Sequence, residues 1–319
     1  MALTPPAVRE YRISIPFRIP SLGKGSRRIT LLEGPSGWGE CSPLPGYPCD
    51  AAAARRAAEE AALGAWPPAV RESVEVNALV PALPPDEAAT LAAEATAAGF
   101  GTVKVKVGGS DNDSARVRAV RDAVGAGVRV RLDGNGGWDV EAAVTILNRL
   151  SDVDIELVEQ PVPTLEELAT VRRRVAVPVA ADESLRSLDD ARRLADTNAA
   201  DAVVVKVQCL GGIAAAMRVI EAAGVPAIVS SMYETSIGLS AGLGLAAALP
   251  ELPYACGLGT TGVLEGDVVS DPLVAVNGTL AVRRPAPDPA LVARYEEGLS
   301  GGPERNSRMS RPHDAESSR

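Results

Sequence analysis

The chain has a single histidine among 319 residues, His313, in the polar stretch "RNSRMSRPHDAESSR". Residues 298–319 carry almost no apolar content and read as a disordered tail. A Ser-His-Asp or Cys-His catalytic group is thereby excluded from the ordered protein, as is a histidine-ligated zinc. Any general base must be Lys, Asp, Glu, Tyr or Cys. The four cysteines, Cys41, Cys49, Cys209 and Cys256, make no C-x-x-C pair. That spacing argues against a zinc knuckle or a disulfide framework, and they read as small buried hydrophobes. No apolar run reaches the roughly 18 residues that a membrane span needs. The opening "MALTPPAVREYRISIPFRIP" lacks the charged and apolar regions of a signal peptide. The expectation is a cytoplasmic protein with no membrane partner. Positive charge is in deficit: 32 Lys and Arg stand against 41 Asp and Glu, a net −9. Such a surface repels phosphate backbones, so no nucleic-acid partner is expected. Part of the acidic excess suits a divalent cation.

From about residue 75 the chain alternates β-branched runs with alanine-rich helical patterns. The runs are 74–80, 101–107, 128–133, 154–159, 177–182, 201–207, 225–230 and 253–259. Helical patterns fill 86–98, 111–124, 139–150, 164–175, 187–197, 212–223 and 236–248. Asp86, Asp139, Thr164 and Ser187 read as helix caps, and Thr164 with Glu167 as a capping box. A repeat of this length is a βα unit with its crossover. Eight strands and seven helices predict a modified (β/α)7β TIM-like barrel. A doubly wound sheet would carry a Gly-rich phosphate loop after its first strand, and "ALVPALPPDE" has none. Ahead of the barrel, "YRISIPF", "RRITLLEG" and "SGWGECSP" read as an antiparallel meander, followed by one helix. A second strand cluster is predicted at 266–282. The two ends are expected to form an α+β capping domain. The expected boundaries are 1–75 for its N-terminal part, 76–263 for the barrel and 264–297 for the segment returning to the cap.

Chemistry in such a barrel sits at the C-terminal strand ends. Those ends carry charge where packing alone would place Val, Ile or Leu. "TVKVKV" puts Lys104 and Lys106 on one face, because side chains alternate along a strand. "RLDGN" brings Arg131, Asp133 and Asn135, and "VEQP" brings Glu159. "ADES" brings Asp182 and Glu183, and "VVKVQ" brings Lys206. A lone strand-end acid is commonly a cap or a solvated turn, and two lysines mark an edge strand with a wet face. A closed barrel has no edges, and six such positions share one mouth. Asp133, Glu159 and Asp182 end consecutive strands about 4.8 Å apart, so they can converge on one cation. Oxygen ligation without His or Cys selects a hard ion, Mg²⁺ foremost and Mn²⁺ also possible. Lysines flanking a cation are expected to have lowered pKa values and to serve as bases. That combination suits removal of a proton α to a carboxylate.

The ordered set Lys-x-Lys, Asp, Glu, Asp, Lys resembles the enolase superfamily, in its muconate-lactonizing-enzyme-like subgroup with two opposed lysines. The segment "GWGECSPLPGY" resembles that superfamily's capping domain. The resemblance covers about residues 10–295. It implies that Lys106 is the base and acid, with Lys104 beside it to depress its pKa. It implies Asp133, Glu159 and Asp182 as Mg²⁺ ligands, with Asn135 and Glu183 behind them. Lys206 would stabilise the enediolate from the opposite face, or act as a second acid/base. The short chain and Arg131 resemble the subgroup's compact dehydratases. The subgroup's dipeptide epimerases carry an Asp-x-Asp at the eighth strand, whereas "CGLGTTG" (256–262) has no acid. Gly257, Gly259 and Thr260 offer backbone N–H groups suited to a substrate carboxylate, and Ser230 and Ser231 add hydroxyls. The implied reaction is dehydration of a hydroxycyclohexadiene carboxylate, with an N-succinylamino acid racemase or cycloisomerase as the alternative. The expected partner is a small-molecule carboxylate, and the expected assembly a monomer or small homo-oligomer. Three local readings stay open. Gly211–Gly212 opens an anion-binding helix N-terminus or a plain turn. Trp38, Pro45 and Tyr47 form a lid or ordinary packing. Arg18 and Lys24 touch substrate or solvent.

Overall fold

The computed structural model describes residues 8–18, 25–64, 66–109 and 112–297. Lys24, His313 and the 298–319 stretch lie outside the described residues. The meander forms as β1 (Arg9–Pro16), β2 (Ser26–Gly34) and β3 (Gly37–Cys41), antiparallel in that order. Alternation selects its inner face: Ile13, Ile15, Ile29 and Leu31 are buried. Asp50 caps α1 (Ala51–Leu63) by accepting from Ala53 N. Alanines line the buried face of α1, so it packs very closely on β3. A Cβ at Gly39 would strike the Ala58 carbonyl.

The barrel sheet is parallel. It runs β5 (Ala78–Val80), β6 (Thr102–Lys106), β7 (Arg129–Asp133), β8 (Ile155–Glu159), β9 (Val179–Ala181), β10 (Ala202–Val205) and β11 (Ala227–Val229). Its edges are tied by an eighth strand reduced to a bridge. Cys256 pairs with Val76 and Gly257 with Ser230, both parallel. Glycines at 257 and 259 give that strand little to pack, which explains its length. Helices cross back between strands: α2 (Pro85–Ala97), α3 (Asp113–Val124), α4 (Val140–Arg149), α5 (Leu165–Arg172), α6 (Leu188–Thr197), a short α7 (Val207–Leu210), α8 (Ile213–Ala223) and α9 (Ser236–Ala248). Asp139, Thr164 and Ser187 cap α4, α5 and α6, with a full capping box at Thr164 and Glu167.

Four sequence expectations change. The run 74–80 is two strands: β4 (Ser73–Glu75) leaves the barrel to pair antiparallel with β12 (Thr279–Ala281), and β5 enters the barrel. Asn77 separates them, its amide donating to Ala78 O. Asp86 is not a cap; Pro84 and Pro85 start α2 and Asp86 sits in its first turn. Strand β10 stops at Val205, which makes Lys206 the residue that opens α7. Of the 266–282 cluster only β12 is strand; Pro272, with no N–H to donate, interrupts the rest. α10 (Pro289–Tyr295) follows.

The meander packs on the C-terminal segment. Ile13, Ile15, Ile29 and Leu31 share a cluster with Leu264, Val268, Val269 and Val292. Against the barrel it is held by a buried polar network. Glu40 accepts from Ser42 Oγ, Thr235 N and Gly238 N at 2.6, 3.2 and 3.1 Å, and from Thr235 Oγ1. Gln208 on α7 accepts from Ser42 N at 2.8 Å and donates to Glu234 at 3.2 Å. Arg27, fully buried, donates to Ser42 O and Pro43 O. Burial and the neighbouring Glu234 push the Glu40 carboxyl from 4.5 up to about 7. The folded state then binds a proton that the unfolded chain has released. This contribution is complete below about 4.5 and is lost as pH rises through about 7. Its size is on the order of 3 kcal/mol. Urea unfolding at pH 6 and pH 8 should show the wild-type protein losing stability across that interval, with Glu40→Gln losing less.

Candidate active site

The strand ends meet at a cavity of about 310 Å³. It is lined by Lys104, Lys106, Asp133, Glu159, Asp182 and Lys206, with Asn135 and Glu183 at one side. Strand register sets the arrangement: Lys104 lies opposite Arg131, Lys106 opposite Asp133, and Asp133 opposite Glu159. Lys106 Nζ donates to Asp133 Oδ2 at 2.7 Å and to Asn135 Oδ1 at 2.6 Å. Asn135 passes the contact on, donating to Glu183 Oε1 at 2.9 Å. Asn135 holds a left-handed φ of 45°. The glycines around it leave no space: a Cβ on Gly137 would strike the Gly108 carbonyl. Lys104 Nζ sits 3.0 Å from Asp133 and 3.1 Å from Glu159. Lys206 Nζ lies 2.5 Å from both Asp182 oxygens.

These contacts set the charges. Burial opposes an ammonium at Lys104 and at Lys206, but the carboxylates outweigh it and raise both pKa values. The lowering expected from sequence presupposes a cation among the acids. Burial and the Asp133 carboxylate push Glu159 up to about 8. Burial would also raise Asp133, yet Lys104 and Lys106 hold it well below the usual range. Among the described residues no three acids close on one point as they stand. The ammonium groups of Lys104 and Lys206 sit between them. The donor set nevertheless fits a hard divalent cation. Three buried carboxylates end consecutive strands in one cavity, and Asp133 Oδ1 is buried without a partner.

Other predicted residues divide. Ser230, Ser231, Gly257 and Thr260 line the cavity. Ser231 Oγ donates to Gly257 O at 3.0 Å and lies 2.8 Å from Thr260 Oγ1. Gly259 does not reach it; it lines a separate hollow with Phe100 and Leu264. Arg131 does not line it either. The guanidinium is committed to Glu156, to Ala255 O at 2.7 Å and to the face of Tyr254. It is wholly buried. Ala255 and Tyr254 come from the segment that carries the short bridge at Cys256 and Gly257, and Ala255 stands 124 residues from Arg131 in sequence. Arg18 donates to Glu265 O and stays outside the cavity. Trp38 packs on Tyr11 with ring centroids 5.3 Å apart, and Pro45 lines a surface groove. The α8 N-terminus after Gly211–Gly212 is filled from within, because Glu60 of α1 accepts from Ala214 N at 3.0 Å.

Tyr47, which the sequence offered as a lid or as packing, and Gln160 gain their specific partners only in three dimensions. Tyr47 donates to Asp182 Oδ1 at 2.6 Å and accepts from Lys206 Nζ at 2.8 Å. Burial and then Asp182 raise its pKa, so it stays a donor. Gln160, at a left-handed φ of 38°, accepts from Asp182 N at 2.7 Å and Ser184 Oγ at 2.9 Å. It also donates to Val162 O at 2.7 Å, and so ties the end of β8 to that of β9. "VEQP" held the signal for Gln160, whereas nothing in the sequence pairs Tyr47 with Asp182. Tyr47→Phe removes one hydroxyl from the Asp182–Lys206 pair. It should lower kcat/KM about tenfold, the equivalent of ~1.4 kcal/mol, with an unchanged urea midpoint.

Family models match both parts of the chain: Enolase C-terminal domain-like over residues 87–288, and Enolase N-terminal domain-like over 13–62. The muconate lactonizing enzyme from Pseudomonas putida shares the fold, with a TM-score of 0.80 at 21% identity, covering 91% of this chain and 99% of that one. The L-Ala-D/L-Glu epimerase from Bacillus subtilis aligns with a TM-score of 0.76 at 27% identity, covering 88% and 96%. Fold and site thus define a member of the enolase superfamily. Among curated relatives, the o-succinylbenzoate synthase of Thermobifida fusca is 53% identical over 276 residues, 85% of this chain and 86% of that protein. That of Mycolicibacterium smegmatis is 43% identical, covering 89% of each. The chain belongs to the o-succinylbenzoate synthase family, hydro-lyases of that superfamily.

Proposed function

We propose that the protein dehydrates 2-succinyl-6-hydroxy-2,4-cyclohexadiene-1-carboxylate to 2-succinylbenzoate, a cytoplasmic step of menaquinone synthesis. The observation that carries this reading is the pairing of Lys106 and Lys206 with Asp133 and Asp182 around one cavity. Asp133, Glu159 and Asp182 would hold Mg²⁺, with Mn²⁺ as a substitute. When bound, the cation supplies positive charge against the ring carboxylate as its α-proton leaves. Lys106, as the free amine, takes that proton at Nζ. Asn135, backed by Glu183, orients the amine by accepting from it. The Lys206 ammonium faces the developing enediolate and stays protonated, as its neighbouring carboxylates favour. Lys106, now an ammonium, gives its proton to the departing hydroxyl. One C–H and one C–O bond break, water leaves, and the ring gains the double bond that makes it aromatic. The hydroxyls of Ser230, Ser231 and Thr260 would offer polar contacts for the succinyl tail, whereas the N–H groups of Gly257 and Thr260, expected from sequence to do so, already donate to Val229 O and Leu258 O. Tyr47 covers the Lys206 side.

An N-succinylamino acid racemase or a cycloisomerase would share the first proton transfer and lose no hydroxyl. Steady-state rates on the cyclohexadiene carboxylate and on N-succinylamino acids separate the two. The proposal expects kcat/KM for dehydration to exceed that for racemisation by at least a hundredfold. Racemisation as the faster reaction would overturn it.

A further inference from the structure

The cavity wall carries one strained residue that the mechanism does not use. Tyr233 follows β11 in "SSMYETS" and holds a left-handed φ of 64°. For a bulky side chain that conformation is an outlier, and it persists only where the surroundings over-determine it. Here they act from both sides. Arg27 of β2, wholly buried, reaches across from the capping domain and donates Nε to Tyr233 O at 3.4 Å. Met232 N donates to Glu234 Oε2 at 2.6 Å, and Gln208 Nε2 holds Glu234 at 3.2 Å. Met232 and Glu234 are buried, whereas Tyr233 between them is half-buried and lines the cavity.

Its hydroxyl differs from the other polar groups of that wall. Tyr47 donates to Asp182, Ser230 and Ser231 donate to Gly257 O, and Thr260 Oγ1 lies 2.8 Å from Ser231 Oγ. Lys104, Lys106 and Lys206 each face a carboxylate. Among the described residues, Tyr233 carries the cavity-wall hydroxyl that has no protein partner. The substrate of the proposed reaction has two carboxylates. One belongs to the ring and goes to the cation. The other ends the succinyl tail, and a carboxylate accepts hydrogen bonds without donating any. The serine and threonine hydroxyls can donate to it only by leaving a present acceptor, whereas Tyr233 leaves none.

We propose that Tyr233 selects the succinyl tail, its hydroxyl donating to the tail's terminal carboxylate. The inference rests on the proposed reading for the presence of that tail, which N-succinylamino acids also carry. A charge-assisted O–H···O⁻ bond favours a tail that ends in a carboxylate over one that ends in a methyl group.

The test is a double-mutant cycle between protein and ligand, read by titration calorimetry on the full chain in Mg²⁺. The ligands are 2-succinylbenzoate and 2-butanoylbenzoate, in which a methyl group replaces the terminal carboxylate. Wild type should bind the first about tenfold more tightly or better, the scale of one hydrogen bond to a charged group. Tyr233→Phe should weaken 2-succinylbenzoate about tenfold and leave 2-butanoylbenzoate within about twofold, with an unchanged urea midpoint. In turnover, KM for the cyclohexadiene carboxylate should rise about fivefold or more, with kcat falling less. Equal weakening of both ligands would give Tyr233 a structural role alone and overturn the proposal. So would weakening of neither, or a wild type that binds the two alike. Tail-selective binding that depends on Tyr233, in a protein that does not turn over the diene, would support the proposal and count against the dehydratase reading alone.

Discussion

Lys106→Ala should lower turnover by about 10²–10⁴-fold, the range by which a positioned base accelerates a proton transfer. The loss should fall on kcat more than on KM, because on the proposed mechanism Lys106 would act on the reacting proton while Asp133, Glu159 and Asp182 remain. The protein stays folded. Lys106 is the most exposed of the three lysines, its side chain 23% accessible, and Lys104 still faces Asp133 when it is gone. Circular dichroism and urea unfolding should therefore match wild type within about 1 kcal/mol. A variant that is inactive because it is unfolded would not support the assignment. A folded variant with near-normal turnover would remove Lys106 from the mechanism.

Asp133→Ala has the larger combined effect, because one carboxylate does two jobs. It faces Lys104 and Lys106, and on the proposed mechanism it would be one of the three oxygen donors for the cation. Without it, Lys104 keeps only Glu159 as its carboxylate contact at the strand end. Breaking a buried pair from one side typically costs about 3–5 kcal/mol. The variant should unfold at markedly lower urea concentration, bind Mg²⁺ at least tenfold more weakly by calorimetry, and turn over at the assay's background. Glu183→Gln offers the contrast. Its Oε1 only backs Asn135, so Mg²⁺ affinity should change little while kcat falls.

The barrel was readable because strand and helix periods alternate with regular caps, and Asp139, Thr164 and Ser187 form those caps in three dimensions. The charged strand ends were readable for a simple reason. Lys104, Lys106, Asp133, Glu159, Asp182 and Lys206 stand where a packing residue belongs, and all six line one cavity. What the sequence does not carry is long-range pairing. Tyr47 meets Asp182 from 135 residues away, and Glu60 fills a helix terminus that two glycines advertise as open. Arg131 looked like a substrate contact by its place near Asp133, but Glu156 and Ala255 claim its guanidinium. The direction of the lysine pKa shifts followed the same rule. Sequence placed the ammonium groups near a cation, whereas geometry places Lys104 and Lys206 against carboxylates.

The most direct test is the loss of diene absorbance when purified protein is mixed with the cyclohexadiene carboxylate, with Mg²⁺ and then with excess chelator. The account predicts fast loss with Mg²⁺, none with chelator, and recovery when Mg²⁺ is restored. Undiminished turnover in chelator, or no turnover in a folded, Mg²⁺-replete sample, would contradict it.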